Sequence, residues 1–204
     1  LTGSIAMGAG EYQATEVLAK LIGGFQKQYA AVSFDLFTSS ADLLHDKLDK
    51  GLLDVAILQA PVDTTNYDYL RLPIRETWCV LMRSDAPLAS KNAITASDLS
   101  GLPIILPARL QARSEIFNWL SGDIAKMRFI GNSNLLANTA VFVEQCGYYG
   151  ISVQMPLLDE KRFAYRPLTP ALHSDILLVW RRDRQQSLAL QKFLQFAKCF
   201  LSIE

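Results

Sequence analysis

An alternation of strands and helices in the first sixty residues constrains the fold of this chain more than any other feature. Apolar residues at 4–7, 32–37 and 53–58 have the composition of strands, and two amphipathic segments lie between them. Strand, helix, strand, helix, strand within so short a stretch is typical of a parallel sheet with right-handed crossovers. The sequence therefore predicts an α/β fold.

Both connecting segments carry apolar residues at helical spacing. The apolar positions of the first are Val17, Leu18, Leu21, Ile22 and Phe25. We expect this helix to end near Tyr29. In the second segment, "SADLLHDKLDKG", we expect Leu43, Leu44 and Leu48 to share one face, and Gly51 to end the helix because glycine readily adopts the left-handed conformation.

The rest of the chain continues the alternation of strands and helices and ends in a helix. Strands are predicted at 104–106, 127–130, 151–154 and 176–180, and helices at 114–120, 134–146 and 186–201. The last helix has an apolar face made by Leu190, Phe193, Leu194 and Ala197. Two extended segments surround Arg75 and Glu76, where we place the crossing into a second lobe. We predict two Rossmann-like lobes joined by two crossover strands: lobe I at 1–75, lobe II at 76–175, and a return to lobe I at 176–204.

Charge and cysteine content narrow the class of protein. The 204 residues carry 20 Lys and Arg against 20 Asp and Glu, so the chain lacks the basic surplus of a typical nucleic-acid binder. The three cysteines are far apart and odd in number, which favours buried thiols in a reducing compartment. Since no apolar run is long enough for a membrane span and no signal peptide is recognisable, we expect a cytoplasmic protein with no membrane association.

Four strand-to-helix junctions carry small or polar residues suited to ligand binding. In parallel sheets, ligands lie beyond the carboxyl ends of strands, where helix amides favour negative or acceptor groups. The candidate contacts are Gly10, Glu11, Tyr12, Ser39, Ser40, Ala41, Pro107, Ala108, Arg109, Ser133 and Asn134. Convergence of the four junctions on one cleft would enclose a small ligand. The alternative is that Ser39 or Ser40 only caps its helix and that all four are ordinary polar loops.

The chemistry of these junctions favours a small anion such as a carboxylate. Converging amides and hydroxyls suit such a ligand, and Arg109 or Arg113 would supply a positive charge. The alternative for both arginines is an exposed helix start. Tyr12, Tyr148 and Tyr149 are possible walls for a bulkier ligand, although aromatic residues at such positions also serve packing.

Catalytic and metal-binding patterns are absent from the sequence. The stretch "GNSNL" lacks the second glycine of a nucleophile elbow, and "GAGEYQ" lacks the third glycine of a dinucleotide fingerprint. His45 and His173 are isolated from one another and from cysteine clusters. We therefore expect no enzyme activity, no cofactor and no metal.

Several motifs resemble the effector-binding domain of LysR-type transcriptional regulators. The resemblance is carried by "LTGSIAMG", "LAKLIGGFQKQYAAVSFDLF", "LLHDKLDKGLLDVAI", "RSDAPLA", "ITASDLSGLPIIL" and "GYYGISVQMP", which follow the order of that family along nearly the whole chain. Departures are Ala86 in place of the usual His, Ala30 in place of Pro, and Ala41 where many relatives carry a ligand-binding Ser or Thr. The segment before Pro156 is also slightly longer than usual.

The resemblance implies a type 2 periplasmic-binding-protein fold and a sensing role. A small effector would bind between the lobes and change their angle about hinges near residues 75–77 and 174–177. The family also implies an antiparallel homodimer, in which helix 16–29 and the next strand pack on helix 114–120 of the partner, and a tetramer in the full-length protein. DNA would be bound only by a winged helix-turn-helix domain that this chain lacks. The alternative is a periplasmic or lipoprotein solute receptor of the same fold; an enzyme of this fold, such as a deaminase, would need a catalytic cluster.

Overall fold

The computed structural model describes residues 1–202, in which nine strands and five α-helices alternate. The elements of the first part are β1 (Gly3–Ala9), α1 (Thr15–Gln28), β2 (Val32–Thr38), α2 (Ala41–Asp49), β3 (Val55–Gln59) and β4 (Tyr67–Arg83). They are followed by β5 (Pro103–Pro107), α3 (Leu110–Leu120), β6 (Arg128–Ser133), α4 (Leu136–Cys146), β7 (Tyr149–Val153), β8 (Phe163–Pro167), β9 (His173–Arg181) and α5 (Leu188–Leu201). The predicted α/β class is confirmed.

The chain divides into two compact units. The first comprises Leu1–Arg75 together with the chain from Asp175 onward, and the second comprises Glu76–Ser174. The chain passes between them twice, once inside β4 and once inside β9. β4 is a single strand of 17 residues, so the two extended segments expected around Arg75 and Glu76 are continuous.

The first unit contains the parallel sheet that the opening pattern predicts. β1 pairs in parallel with β2, from Gly3 opposite Val32 to Ala9 opposite Thr38, and on its other side with β3. β9 then runs antiparallel to β3 and adjoins β4. The sheet therefore has the β1, β2 and β3 carboxyl ends at one edge.

Helices cover both faces of this sheet with apolar side chains. The rings of Phe25 in α1, Phe34 in β2 and Phe193 in α5 pack edge to face, with centroids 5.3 to 6.1 Å apart. All four residues predicted for the apolar face of α5 are buried. Burying a large apolar side chain contributes about 1.5–3 kcal/mol, so this aromatic cluster is a major source of the stability of the unit.

The second helix has a narrower apolar face than predicted. Leu44 and Leu48 are buried against β3, but Leu43 is 50% exposed. The expectation that Leu43 shares their face is wrong, because one residue step turns a helix by about 100°. Gly51 follows the helix with φ +70°, as its predicted role at the helix end requires.

The second unit is a mixed sheet. β5 pairs in parallel with β6 and β7, while β7 and β8 run antiparallel to β4. The α4 helix packs on β7 through Thr139, whose methyl group lies 2.8 Å from where a Cβ on Gly150 would sit. A side chain at position 150 would therefore force Thr139 to move from its contact with the sheet.

Sequence reasoning missed one strand and shortened one helix in this unit. β8, with the sequence "FAYRP", was not predicted, because it is short and has no clear alternation of apolar and polar residues. α3 begins at Leu110 instead of residue 114. Its first turn carries polar residues, so the apolar periodicity that marks a helix begins only later.

The cysteines differ in their exposure. Cys79 is buried in β4, where burial, reinforced by the negative charge of Glu76, raises the pKa of its thiol to about 12. Cys146 and Cys199 are exposed, so the expectation of buried thiols is wrong for these two. Within residues 1–202, no helix has the length and apolarity that crossing a bilayer demands.

Candidate functional site

Two predicted junctions of the first unit lie side by side. β1 and β2 end opposite one another at Ala9 and Thr38, and the Ser39 N–H donates to the Ala9 carbonyl at 3.1 Å. This bond places Gly10 next to Ser39 at the carboxyl edge of the sheet. The structure therefore brings together the residues predicted at 10–12 and 39–41 within this unit.

Tyr12 covers Gly10. A Cβ on Gly10 would lie 2.2 Å from the Tyr12 Cζ, so only glycine allows the ring to fold back here. The turn that follows provides acceptors for the first amides of α1. The Thr15 N–H donates to the Tyr12 carbonyl at 3.2 Å, and the Glu16 N–H donates to the Gln13 carbonyl at 3.0 Å. This junction therefore offers a buried tyrosine and the partly buried Glu11, but no open helix start.

The other junction of the first unit leaves its hydroxyls uncommitted. Ser40 is the N-cap of α2, with φ −67° and ψ 153°, yet its side chain makes no capping hydrogen bond. Ser187, the N-cap of α5, has nearly the same backbone, with φ −61° and ψ 155°, and its Oγ accepts from the Leu190 N–H at 3.1 Å. The capping alternative is therefore not realised at Ser40.

Ser39 and Ala41 are both buried at this helix start. Ser39 is only 6% exposed, and its hydroxyl has no hydrogen-bond partner among residues 1–202. Ala41 contributes backbone only, and the first amides of a helix have no acceptor inside it. The hydroxyls of one buried and one half-buried serine thus lie beside the first amides of α2.

The two junctions of the second unit are paired in the same way. β5 and β6 end opposite one another at Pro107 and Ser133, and the Ala108 N–H donates to the Ser133 carbonyl at 2.8 Å. The Ser133 hydroxyl donates to the Leu135 carbonyl at 3.0 Å, so it stabilises the turn into α4. Asn134 is exposed. The structure brings 107–109 together with 133 and 134 within this unit.

Both candidate arginines belong to the start of α3. Arg109 is its N-cap residue and is partly buried. Burial raises the pKa of the nearby Glu115 carboxyl, and the positive charge of Arg109 opposes that rise. The Nε of Arg113 is buried and has no hydrogen-bond partner in the described chain. Neither arginine is therefore the fully exposed helix start of the alternative interpretation.

Tyr148 and Tyr149 lie elsewhere. They are at the amino end of β7, where Tyr149 is opposite Ile104 near the start of β5. Because β5 and β7 are parallel, this is the opposite end of the sheet from Pro107 and Ser133. The two tyrosines instead line a groove of about 280 Å³ with Met82 and Arg83. The expectation that they form walls of the junction site is wrong.

Sequence reasoning overlooked one polar residue at the carboxyl edge. Gln59 is the last residue of β3, and it is 7% exposed in a strand that is otherwise entirely apolar. β3 is parallel to β1, so Gln59 belongs to the same edge as Gly10 and Ser39. The signal was available in "VAILQ", because a polar residue at the end of a buried strand needs a partner or a function.

The geometry defines a domain with small and polar residues at the carboxyl ends of its strands, and its sequence identifies the class. Residues 1–202 match the LysR substrate binding domain family, so the chain belongs to this family. The solved effector-binding domain of QuiR in complex with shikimate has a TM-score of 0.85 and 16% identity, over 100% of this chain and 99% of that chain. The regulatory domain of CcmR from Synechocystis PCC6803 in complex with 2-PG has a TM-score of 0.81 and 15% identity, over 98% of each chain.

Curated relatives are also transcriptional regulators. The uncharacterised HTH-type regulator YvbU of Bacillus subtilis is 25% identical over 96% of this chain and 67% of its own length. The HTH-type regulator BudR of Raoultella terrigena is 22% identical over 86% of this chain and 62% of its own. The chain thus spans about two thirds of these relatives. The predicted family and its type 2 periplasmic-binding-protein-like fold are confirmed, and the solute-receptor alternative is not favoured.

Proposed function

We propose that this chain is the sensing domain of a cytoplasmic LysR-type regulator that binds a small polar or anionic effector at its strand-to-helix junctions. The observation that carries the proposal is the contrast between Ser40 and Ser187. Both serines have the capping backbone conformation, but only Ser187 bonds to its own helix. A hydroxyl that the fold leaves uncommitted is available to a ligand.

The preference for an anion rests on the groups around the junctions. The start of α2 supplies amides and the hydroxyls of Ser39 and Ser40, and the start of α3 supplies amides and the positive charges of Arg109 and Arg113. Helix N-termini and guanidinium groups both favour negatively charged ligands. Complexes of two structural relatives with shikimate and with 2-PG support a small ligand.

Coupling between effector binding and DNA binding would depend on the two places where the chain passes from one unit to the other. An effector that binds one arrangement of the units more tightly shifts the population toward it, in proportion to its differential affinity. Residues 75–77 and 174–177 would act as hinges. The change would reach DNA through a helix-turn-helix part of the full-length regulator, arranged as a tetramer.

A dimer is the simplest assembly that the exposed edges support. β2 and β6 end their sheets, and each exposes apolar residues, Leu36 and Ile130. The pairing we propose sets α1 and β2 of one copy against α3 of the other. Among the apolar residues of α1, Leu18 and Phe25 are buried within the unit, whereas Ile22 is partly exposed and available to a partner.

A thermal-shift screen over small acids, amino acids and sugars tests the proposal, because a ligand of the native state stabilises it in proportion to its occupancy. For a hit, the double variant Ser39→Ala/Ser40→Ala should weaken binding by about tenfold or more, since hydrogen bonds to charged groups contribute about 1.5–3 kcal/mol. The control is Ser90→Ala, whose hydroxyl bonds to the Pro87 carbonyl in an exposed turn. Equal affinity of the double variant and the control would refute the role of this junction.

A further inference from the structure

A groove with charged residues in its wall lies on the first unit, apart from the strand-to-helix junctions. It has a volume of about 410 Å³, and its lining comes from β4 and β9: Arg71, Leu72, Pro73, Ile74, Arg75 and Asp175. None of these residues belongs to the candidate effector site. The groove adjoins the point where both strands pass from one unit to the other.

Two arginines converge on one carboxylate in this groove. Arg71 Nη1 lies 2.8 Å from Asp175 Oδ2, and Arg75 Nε lies 3.0 Å from Asp175 Oδ1. The carboxylate is 23% exposed, whereas the arginine side chains are 65% and 64% exposed. One negative charge therefore faces two positive charges, and the excess positive charge is open to solvent.

The remaining donors of the two arginines are available to a second acceptor. A guanidinium group carries five N–H donors in a fixed fork, and the ion pairs with Asp175 use only part of them. Asp175 shows which kind of group the two arginines bind, because each of its two carboxylate oxygens pairs with one guanidinium. An oxyanion with two or more acidic oxygens has the matching geometry.

We propose that the Arg71–Arg75 groove is a binding site for a small oxyanion, a phosphate or a dicarboxylate, distinct from the effector site. The anion would bind in competition with Asp175 or beside it, using the guanidinium donors that Asp175 does not occupy. Since Asp175 also accepts the Ala60 N–H through its backbone carbonyl at 2.8 Å, the site lies on a strand that is tied firmly into the first unit. The main-chain frame of the site therefore does not depend on the carboxylate.

The test is a titration of the chain with inorganic phosphate and, separately, with succinate, at constant ionic strength balanced with chloride. The Nε–H resonances of the arginines, followed by NMR, should show saturable shifts for Arg71 and Arg75. The double variant Arg71→Gln/Arg75→Gln should bind at least tenfold more weakly. Asp175→Asn should bind several-fold more tightly, because it removes the competing negative charge and keeps the shape of the side chain.

The matched controls come from a neighbouring arginine. Arg182 is similarly exposed; it forms an ion pair with Asp68 at 2.9 Å and also donates to the Tyr67 carbonyl at 3.0 Å. Arg182→Gln and Asp68→Asn should leave the affinity unchanged. Shifts that do not saturate, or that are equal for all exposed arginines, would overturn the proposal, as would an Asp175→Asn variant that folds and binds no more tightly.

Two further results complete the test. If Asp175→Asn does not fold, the double arginine variant alone tests the proposal. Binding of phosphate and succinate by that variant as tightly as by the parent chain would overturn it. The Ser39→Ala/Ser40→Ala variant should bind phosphate normally. This outcome separates the groove from the proposed effector site, and a loss of phosphate binding in the serine variant would contradict the separation.

Discussion

Tyr67 shows most clearly how burial and a charged partner together set the pKa of a single side chain. Its ring is 3% exposed, and its hydroxyl donates a short hydrogen bond to Asp49, which also pairs with Arg181 at 2.6 Å. Burial, reinforced by the bond to Asp49, raises the pKa of Tyr67 to about 12, and the same bond lowers the pKa of Asp49. This contact ties the carboxyl end of α2 to β4.

Tyr67→Phe should lower the free energy of unfolding at pH 7 by about 1.5–3 kcal/mol, the usual contribution of a hydrogen bond to a charged group. A tyrosine pKa raised by folding contributes stability that is complete below about pH 10 and is lost as the pH rises toward 12. The difference between the two proteins should therefore narrow over this interval. Urea unfolding at pH 7, 10 and 11 measures this difference in the free energy of unfolding. The control is Tyr69→Phe, at an exposed site on the same strand. A difference that stays constant with pH would contradict the assignment.

Elements were predictable from the sequence where apolar periodicity decides the structure. The β1–α1–β2–α2–β3 order, the end of α2 before Gly51 and the buried face of α5 all follow from side-chain spacing and one glycine. The start of α3 was missed because polar residues interrupt the apolar periodicity of its first turn, and β8 depends on its pairing with β4, which leaves no local pattern. The free hydroxyl of Ser40 could not be predicted either, because the sequence of a capping serine and that of an uncommitted one are alike.

The α1 helix offers a test at the scale of one element, because it contains two adjacent glycines in its interior. A Cβ on Gly23 would meet nothing within 4 Å, whereas a Cβ on Gly24 would lie 3.0 Å from the Phe196 Cζ. Glycine in a helix interior is about 0.8–1.0 kcal/mol less favourable than alanine. Gly23→Ala should therefore stabilise the domain by up to about 1 kcal/mol, and Gly24→Ala should gain less or lose stability, because the ring must move. Urea unfolding of both variants measures the change in stability. Equal stabilisation by the two substitutions would show that α1 and α5 are not in this close contact.

At the scale of the whole molecule, the sequence predicted the family better than it predicted the site. The order of motifs along the chain was sufficient for the fold, since residues 1–202 match one family. The junctions were found by their small and polar residues, but their ligand depends on which hydroxyls and amides the folded chain leaves uncommitted. The sequence already marked Gln59 as a polar residue at the end of an apolar strand, whereas the separation of Tyr148 from the junctions became visible only through strand direction.

The assembly is open to a direct test through the exposed strand edge. An uncovered edge with large apolar residues invites association, and Leu36 on β2 is 64% exposed. Leu36→Asp should shift the chain from dimer to monomer, because the partner would have to bury a carboxylate. The control is Leu157→Asp, which changes a more exposed leucine, at 86%, that lies outside every strand and helix. Sedimentation velocity over a concentration series measures the equilibrium. If both variants sediment like the parent chain, β2 is not the interface, and the pairing proposed for α1 and β2 fails with it.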